Sequence, residues 1–368
     1  MKANKRLTLI DKFFLWVNYA LAIALLISYL APVTDPRKFW IVAFFGLAYP
    51  PLILCNALLI VYWSFRQKWY FLISAFCMLC GLGVLNNNIG FHTGNDVQKQ
   101  PDQGIRMMTY NVHNFKKFGS NKDISTKHEI LEMIAEQHPD VIGFQEFYSR
   151  KKGQYDMVDS IRKIIRLDNY YLEALQSNND EAIGMAIFSK FPIQNKGLIR
   201  LSDEPGSLNQ CLYVDVKKND KVFRVYSIHL QSIQFEPQDY KYLDTVSKSG
   251  PDMHSTMRLG GKLKHAFLKR AEQVFKIKAH AAQCPYPYII SGDFNDTPTS
   301  FAVNKMAKGL KNAFSEKGWG LGRTYNGDFP NYQIDYIMAT PQFNIANYHI
   351  IEKKLSDHFP VVSDLVLK

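Results

Sequence analysis

YIISGDFNDTP, residues 288–298, starts as an apolar strand and finishes as a polar cluster. Tyr288 to Ile290 have the character of a buried strand, and Gly292, Asp293, Asn295 and Asp296 follow at once. Polar groups at the end of a core strand must find partners, because burying them unpaired costs free energy. Gly292 permits a close backbone approach. Asp293 and Asn295 are expected to face chemistry, whereas Asp296 is expected to begin a turn with Thr297 and Pro298.

The same juxtaposition recurs along the chain. Asn111 ends MTYN, Glu146 ends VIGFQE, His229 ends VYSIH, Asp335 sits in QIDYI, and Asp357 and His358 sit in LSDHFPV. Each alone reads as a turn residue or a solvated side chain. Six strand ends bearing acid, amide or imidazole in one domain imply a shared site, since strand termini on one edge of a sheet converge in space.

From Ile105 onward strands alternate with helices. IRMMTYNV and DVIGFQEF are strand-like, and between them apolar residues 130, 131, 134 and 135 give an amphipathic helix after an Asp/Ser start. Further strands are expected at EAIGMAIFSKFPI, CLYVDVKK, KVFRVYSIHL, IDYIMA and HFPVVSDLVL, with a long basic helix over about 262–283. Many strands and few helices predict an α+β layered sandwich. Ser232 to Gly261, carrying Tyr240, Lys241, Tyr242, Lys248 and Met257, is expected as a long irregular stretch, either a substrate-side lid or a surface insertion. Asn209 and Gln210 precede a strand and read as its initiating turn, with a phosphate-binding amide as the other choice.

Before residue 90 lie three apolar stretches, about 13–31, 39–63 and 69–85, all free of Asp, Glu, Lys and Arg. A helix crosses a bilayer core with about 20 such residues. Trp40, Trp63, Trp69 and Tyr70 stand near their ends, and Pro50 and Pro51 predict a kink in the second. Lys2, Lys5, Arg6 and Lys12 precede the first stretch and Arg66 and Lys68 separate the second from the third, against Arg37 and Lys38 on the other side. This bias predicts an integral protein of the plasma or inner membrane with a cytoplasmic N-terminus and an extracytoplasmic domain. The expected organisation is an anchor over 1–86, a polar linker over 87–104 and a catalytic domain over 105–368.

At 368 residues and 47% hydrophobic, the chain can bury a large core, which excludes disorder as its main state. Its net charge of +11 is shared between the first 90 residues, with 8 basic and 2 acidic side chains, and a domain left at +5, too weakly basic to indicate nucleic-acid binding by charge alone. Cys55, Cys77 and Cys80 fall in the apolar stretches and read as packing. Cys211 and Cys284 are expected as unpaired thiols.

Taken in order, TYNV, FQE, IHL, GDFN, IDYI and SDHFPV resemble the endonuclease/exonuclease/phosphatase superfamily, in a membrane-anchored bacterial-type member. The resemblance spans roughly 105–368 and implies the deoxyribonuclease I-like four-layered α/β sandwich. It also implies a Mg²⁺ or Mn²⁺ ion with Glu146 as principal ligand, helped by Asn111 and Asp357 directly or through water. Asp293 would position or deprotonate the attacking water and Asn295 would hold that water or a phosphate oxygen. His358, oriented by Asp335, would stabilise the transition state, and His229 would contact phosphate or assist the leaving group, with Asn111 on the phosphate side. The implied reaction is in-line hydrolysis of a phosphate ester without a covalent enzyme intermediate. Some nuclease members place a Tyr or Glu mid-domain, and Tyr170, Tyr171 and Glu173 do not align to that role.

Anchoring on the outer side favours a lipid headgroup as substrate, with the bilayer itself as the other partner; no protein partner is implied. An extracytoplasmic endo- or exonuclease acting on DNA or RNA is the alternative. A catalytically silent binding module is the third, and the intact Glu146, Asp293, Asn295, Asp357 and His358 argue against it.

Overall fold

The computed structural model describes residues 7–92, 104–116, 125–327 and 331–368. Lys2, Lys5 and Arg6 and the body of the expected linker, 93–103, lie outside the described residues. The strands, in chain order, are β1 (Gly90–Phe91), β2 (Gly104–Asn111), β3 (Val141–Arg150), β4 (Asn169–Ser177), β5 (Glu181–Ser189), β6 (Ile193–Ile199), β7 (Cys211–Lys218), β8 (Lys221–His229), β9 (Tyr288–Asp293), β10 (Lys311–Asn312), β11 (Trp319–Gly320), β12 (Asp335–Ala339), β13 (Phe343–Ile350) and β14 (Val361–Leu367).

Two six-stranded sheets form, in the orders β13-β14-β2-β3-β5-β4 and β10-β12-β9-β8-β7-β6. Alternation along each strand sorts the side chains into layers. Ile105, Met107, Val141 and Ile187 from one sheet meet Leu212, Val214, Val225, Ile289 and Ile337 from the other, all 0–1% exposed. The opposite faces, Met108, Tyr110 and Ile142 on one side and Tyr226, Ile228 and Ile290 on the other, pack against helices. The helix Ser125–Gln137 covers the first sheet, as the periodicity predicts, and Met253–Ala281 covers the second. Each fully buried large apolar side chain contributes roughly 1.5–3 kcal/mol. This is the helix–sheet–sheet–helix sandwich expected from the sequence.

Strand direction gathers the chemistry. β2 and β3 are parallel, as are β8 and β9, so the four strands ending at Asn111, Arg150, His229 and Asp293 point to one edge. β12 runs antiparallel to β9 and starts there, with Asp335 opposite Asp293. β14 runs antiparallel to β2, so its entering loop, with Asp357 and His358, lies at the same edge.

Three local expectations change. Pro192 interrupts EAIGMAIFSKFPI: β5 stops at Ser189, and the chain resumes as β6 in the other sheet. The 232–261 stretch is largely helical, with Pro237–Ser249 forming one helix and the long basic helix beginning at Met253. Buried Asp239 binds Arg258 at 2.8 Å and Lys262 at 2.7 Å, a tertiary clamp that local propensity does not show. Two edge strands, β4 and β13, were not expected.

Among the described residues, one helix, Leu9–Ser28, is long and apolar enough to cross a membrane, or up to three if each of two bent pairs counts as one span. Ile41–Leu47 and Tyr49–Phe65 meet at 62° just before Pro50 and Pro51, the kink those prolines predict. Phe71–Cys80 and Leu82–Asn88 meet at 70° beside Gly81, where an added Cβ would stand 2.1 Å from the Tyr29 ring. Ser74 Oγ donates to Asn18 Oδ1 and to Asn56 Oδ1, tying three helices through buried polar atoms. Asp11, drawn into the first turn of its helix, pairs with Arg66 at 2.7 Å. All five cysteines are free, including Cys211 and Cys284.

Candidate active site

One half of the site is rich in oxygen donors. Asn111 closes β2, and the turn that follows carries three left-handed non-glycine residues, His113 (φ 42°), Asn114 (57°) and Phe115 (58°). Such conformations cost roughly 1–3 kcal/mol each. The fully buried Phe115 ring and a hydrogen bond from the His113 amide to Asn111 Oδ1 (3.2 Å) hold the turn. Glu146 is displayed by a β-bulge. Phe144 and Phe147 are three apart yet bury in the same cluster, which strict alternation forbids unless one residue is inserted. The extra residue leaves Glu146 at φ 51°, turned into the cleft.

Glu146 Oε1 accepts from Asn111 Nδ2 at 3.4 Å, and His113 Nδ1 stands 3.5 Å from Glu146 Oε2 and 3.7 Å from Asp357 Oδ1. Burial alone would raise the Glu146 pKa; the hydrogen bond from His113 and the neighbouring imidazoles outweigh it and hold the carboxyl at about 2. Ser356 Oγ donates to the Asn111 carbonyl (2.9 Å) and to Asp357 Oδ1 (3.1 Å), locking the β14 loop to the end of β2.

The other half is a set of carboxylate, amide and imidazole groups around Asp293, which is 1% exposed. Its carboxylate accepts from the Asn295 amide (2.7 Å), Asn295 Nδ2 (3.2 Å) and Asn111 Nδ2 (3.2 Å). His229 Nε2 lies 3.5 Å and His358 Nε2 3.7 Å from Asp293 Oδ2. Asn295, at φ 52°, also donates to the Leu230 carbonyl at 3.0 Å. His358 Nδ1 is 3.0 Å from Asp335 Oδ2, and the Asp335 amide is anchored on Thr324 Oγ1 at 3.0 Å. Desolvation lowers the His358 pKa, but the Asp335 and Asp293 carboxylates outweigh it and hold the ring well above its ordinary value. Burial raises the Asp293 pKa. All of Asn111, Glu146, His229, Asp293, Asn295, Asp357 and His358 line one cleft of about 280 Å³, with Asp335 beneath His358.

The endonuclease/exonuclease/phosphatase family model matches residues 108–358, more than half of the chain. The chain belongs to that family. A domain of unknown function matches residues 11–88, and no curated protein matches the chain. Several solved structures are similar. An endonuclease/exonuclease/phosphatase from Beutenbergia cavernae DSM 12333 is 18% identical over 72% of each chain, with a TM-score of 0.50. An endonuclease/exonuclease/phosphatase family protein from Bacteroides thetaiotaomicron is 19% identical over 73% of this chain and 100% of its own, with a TM-score of 0.50. A functionally unknown conserved protein from Enterococcus faecalis V583 is 16% identical over 72% of this chain and 100% of its own, with a TM-score of 0.53. At these identities the likeness carries the fold. Membership in the endonuclease/exonuclease/phosphatase family supports a hydrolase of phosphoesters.

Within this family fold, two supports escaped the sequence reading. His113 is in the cleft between Glu146 and Asp357, and its only signal was a histidine two residues after a strand-end Asn. Arg270, 2% exposed, reaches Asp296 Oδ2 at 3.4 Å and donates from Nε to the Gln231 carbonyl at 2.7 Å, while Gln273 Oε1 accepts from the Gln231 amide at 2.8 Å. An Arg and a Gln three apart on one helix face thus brace the loops that follow β8 and β9. Asp296 Oδ1 accepts from the Thr297 amide, so it belongs to a turn as expected, with Arg270 as its added partner. Asn209 donates to the Leu230 carbonyl (2.8 Å), and Gln210 accepts from Leu201 (2.7 Å) and donates to Ser202 and Ser207. Both amides serve the turn that initiates β7.

Proposed function

We propose that the protein is a membrane-anchored, divalent-metal-dependent phosphoesterase acting by in-line attack of water on a membrane-proximal phosphate ester. The observation that supports this most is the facing of an oxygen-donor set, Asn111, Glu146 and Asp357, by the buried Asp293–His229–His358–Asp335 group across one cleft. Hard oxygen donors, with Glu146 ionised at neutral pH, fit Mg²⁺ or Mn²⁺. Either ion, when bound, supplies Lewis-acid polarisation of a phosphoryl oxygen. Donor atoms of Asp293, Asp335 and His358 also lie within 4.8 Å of one another. We assign that trio to proton handling, because Asp335 Oδ2 is engaged by His358 Nδ1.

In this reading Asn295 and Asn111 orient the water and phosphate, and Asp293 accepts a water proton, a task its raised pKa favours. The water oxygen bonds to phosphorus as the bond to the leaving oxygen breaks. His229 protonates that oxygen, and cationic His358, held by Asp335, offsets charge on the phosphoryl group. The anchor is read as three spans with a cytoplasmic N-terminus, followed by the linker and an extracytoplasmic catalytic domain over 105–368.

The test uses the purified full chain with Mg²⁺ or Mn²⁺, and with EDTA, against bis(p-nitrophenyl) phosphate, phospholipid vesicles, plasmid DNA and RNA. Metal-dependent hydrolysis of the phosphodiester and vesicle lipid is expected. Cleavage of nucleic acid but not lipid would move the reading to a nuclease, and no turnover by a folded protein would favour a binding module. A C-terminal reporter active only in the cytoplasm would reject the topology.

A further inference from the structure

The cleft that holds the catalytic set is completed by the membrane anchor. Leu47, the last residue of Ile41–Leu47, lines it together with Ile233, Leu263 and Phe267, in the same cleft as Glu146 and Asp293. Leu47 stands at the 62° bend, so the segment before it turns away from the line of Tyr49–Phe65 and runs against the catalytic domain. Phe44, one turn earlier on the same face, packs edge-to-face on Phe267 with centroids 5.3 Å apart. A Cβ on Gly46 would lie 3.3 Å from the Thr299 carbonyl, and Asn88 Nδ2 donates to Thr299 Oγ1 at 3.0 Å. Both bent segments therefore touch the loop that carries Asn295.

Charge and exposed apolar groups along this seam suit a bilayer surface. Lys264 lies 4.5 Å over the Trp40 ring and Arg37 lies 4.4 Å over Phe275, cations paired with aromatic rings in the manner of an interface. Just after Leu82–Asn88, β1 pairs with β11, and Phe91, Trp319 and Leu321 are all exposed there. Exposed aromatic and aliphatic tips on a domain already tethered at that point suit insertion among headgroups.

We propose that Leu47, Leu263 and Phe267 form the tail-side wall of the substrate site, so that the preferred substrate is a phosphate ester of an amphiphile. Its phosphate lies between Glu146 and Asp293, and its apolar chain runs along Leu47 towards the bilayer. The inference rests on the phosphoesterase reading and adds the substrate class and the part the anchor takes in selecting it. A cleft that joins acidic and imidazole groups to the apolar side chains of Leu47, Leu263 and Phe267 matches a molecule with a phosphate and an apolar chain.

The experiment compares methyl and dodecyl p-nitrophenyl phosphate, the latter below its micellar concentration, on the full chain in nanodiscs with Mn²⁺. The ratio of their kcat/KM values is independent of the fraction of folded enzyme. The wild type should favour the dodecyl ester, and Leu47→Ser should lower the ratio by about 10-fold, roughly what two buried methylenes contribute. Leu47→Met should keep the ratio, and Leu263→Ser, on the facing helix, should lower it independently. Equal use of both esters by the wild type, or an unchanged ratio in both serine variants, overturns the tail-side wall and leaves the phosphoesterase reading intact. Hydrolysis of neither ester overturns that reading and this inference with it.

Discussion

Replacing Asp335 by Asn probes the electrostatics of the site with little change of shape. Asp335 Oδ2 faces His358 Nδ1 at 3.0 Å, and the two side chains are 1% and 5% exposed. Unit charges at that separation interact by about 5–6 kcal/mol at an effective dielectric near 20. The amide keeps a neutral hydrogen bond worth roughly 1 kcal/mol, and Asp293, 3.7 Å from the other ring nitrogen, retains part of the field. About 3–4 kcal/mol of imidazolium stabilisation is lost, so kcat should fall roughly 100- to 1,000-fold if the cation acts on the transition state. KM should change far less, since in the proposed mechanism His358 acts on charge that develops during reaction. Initial rates on bis(p-nitrophenyl) phosphate at saturating Mn²⁺, with a circular-dichroism melt to establish folding, provide the measurement. A folded Asp335→Asn protein turning over within threefold of wild type would refute the role given to this pair.

Three other perturbations probe separate parts of the structure. Glu146→Gln should weaken Mn²⁺ binding by at least about 10-fold, near 1.4 kcal/mol, in calorimetric titration of the full chain; an unaltered affinity would place the ion elsewhere. Gly292→Ala sets a side chain at φ 139° with its Cβ 2.0 Å from the Ile228 carbonyl, so a loss of about 3 kcal/mol and a fall in Tm of roughly 6–12 °C are expected; an unchanged melt would contradict the backbone path at β9. Asp239 gives a signed pH effect. Burial would raise its pKa, but hydrogen bonds from Lys262, the Glu236 amide and Arg258 outweigh this and lower it from 3.8 to about 2. A carboxylate depressed in the fold contributes stability above pH 3.8, and that contribution is lost as pH falls towards 2. Hydrogen exchange over Pro237–Ser249 should therefore accelerate as pH falls through that range, after correction for intrinsic rates. Asp239→Asn should already be fast at pH 5, and if the two proteins match there, the clamp does not hold this helix.

The sequence by itself marked the sandwich, the three apolar stretches and eight residues of the site, seven of which line the cleft while Asp335 lies beneath His358. Strand alternation is a local signal, and Asn111, His229, Asp293, Asp335, Asp357 and His358 each stand where an apolar strand meets a polar turn, whereas Glu146, expected at a strand end, sits on a bulge inside β3, which continues to Arg150. Parallel and antiparallel pairing then carries those ends to one edge. Edge strands β4 and β13 were less legible because each carries an irregularity that breaks the alternation, between Ala174 and Gln176 and between Ile345 and Asn347.

Only the tertiary structure decided the remainder. The helix over Pro237–Ser249 depends on Asp239 meeting Arg258 and Lys262, and the brace on Asp296 depends on Arg270 from a distant turn of helix. His113 enters the cleft through three consecutive left-handed residues, which no propensity favours and which Phe115 burial holds in place. Leu47 reaches the cleft where Ile41–Leu47 and Tyr49–Phe65 meet at a bend beside Pro50 and Pro51. Composition marks a stretch as apolar enough to cross a membrane, but the surface it meets on the way is set by packing between residues far apart in the chain.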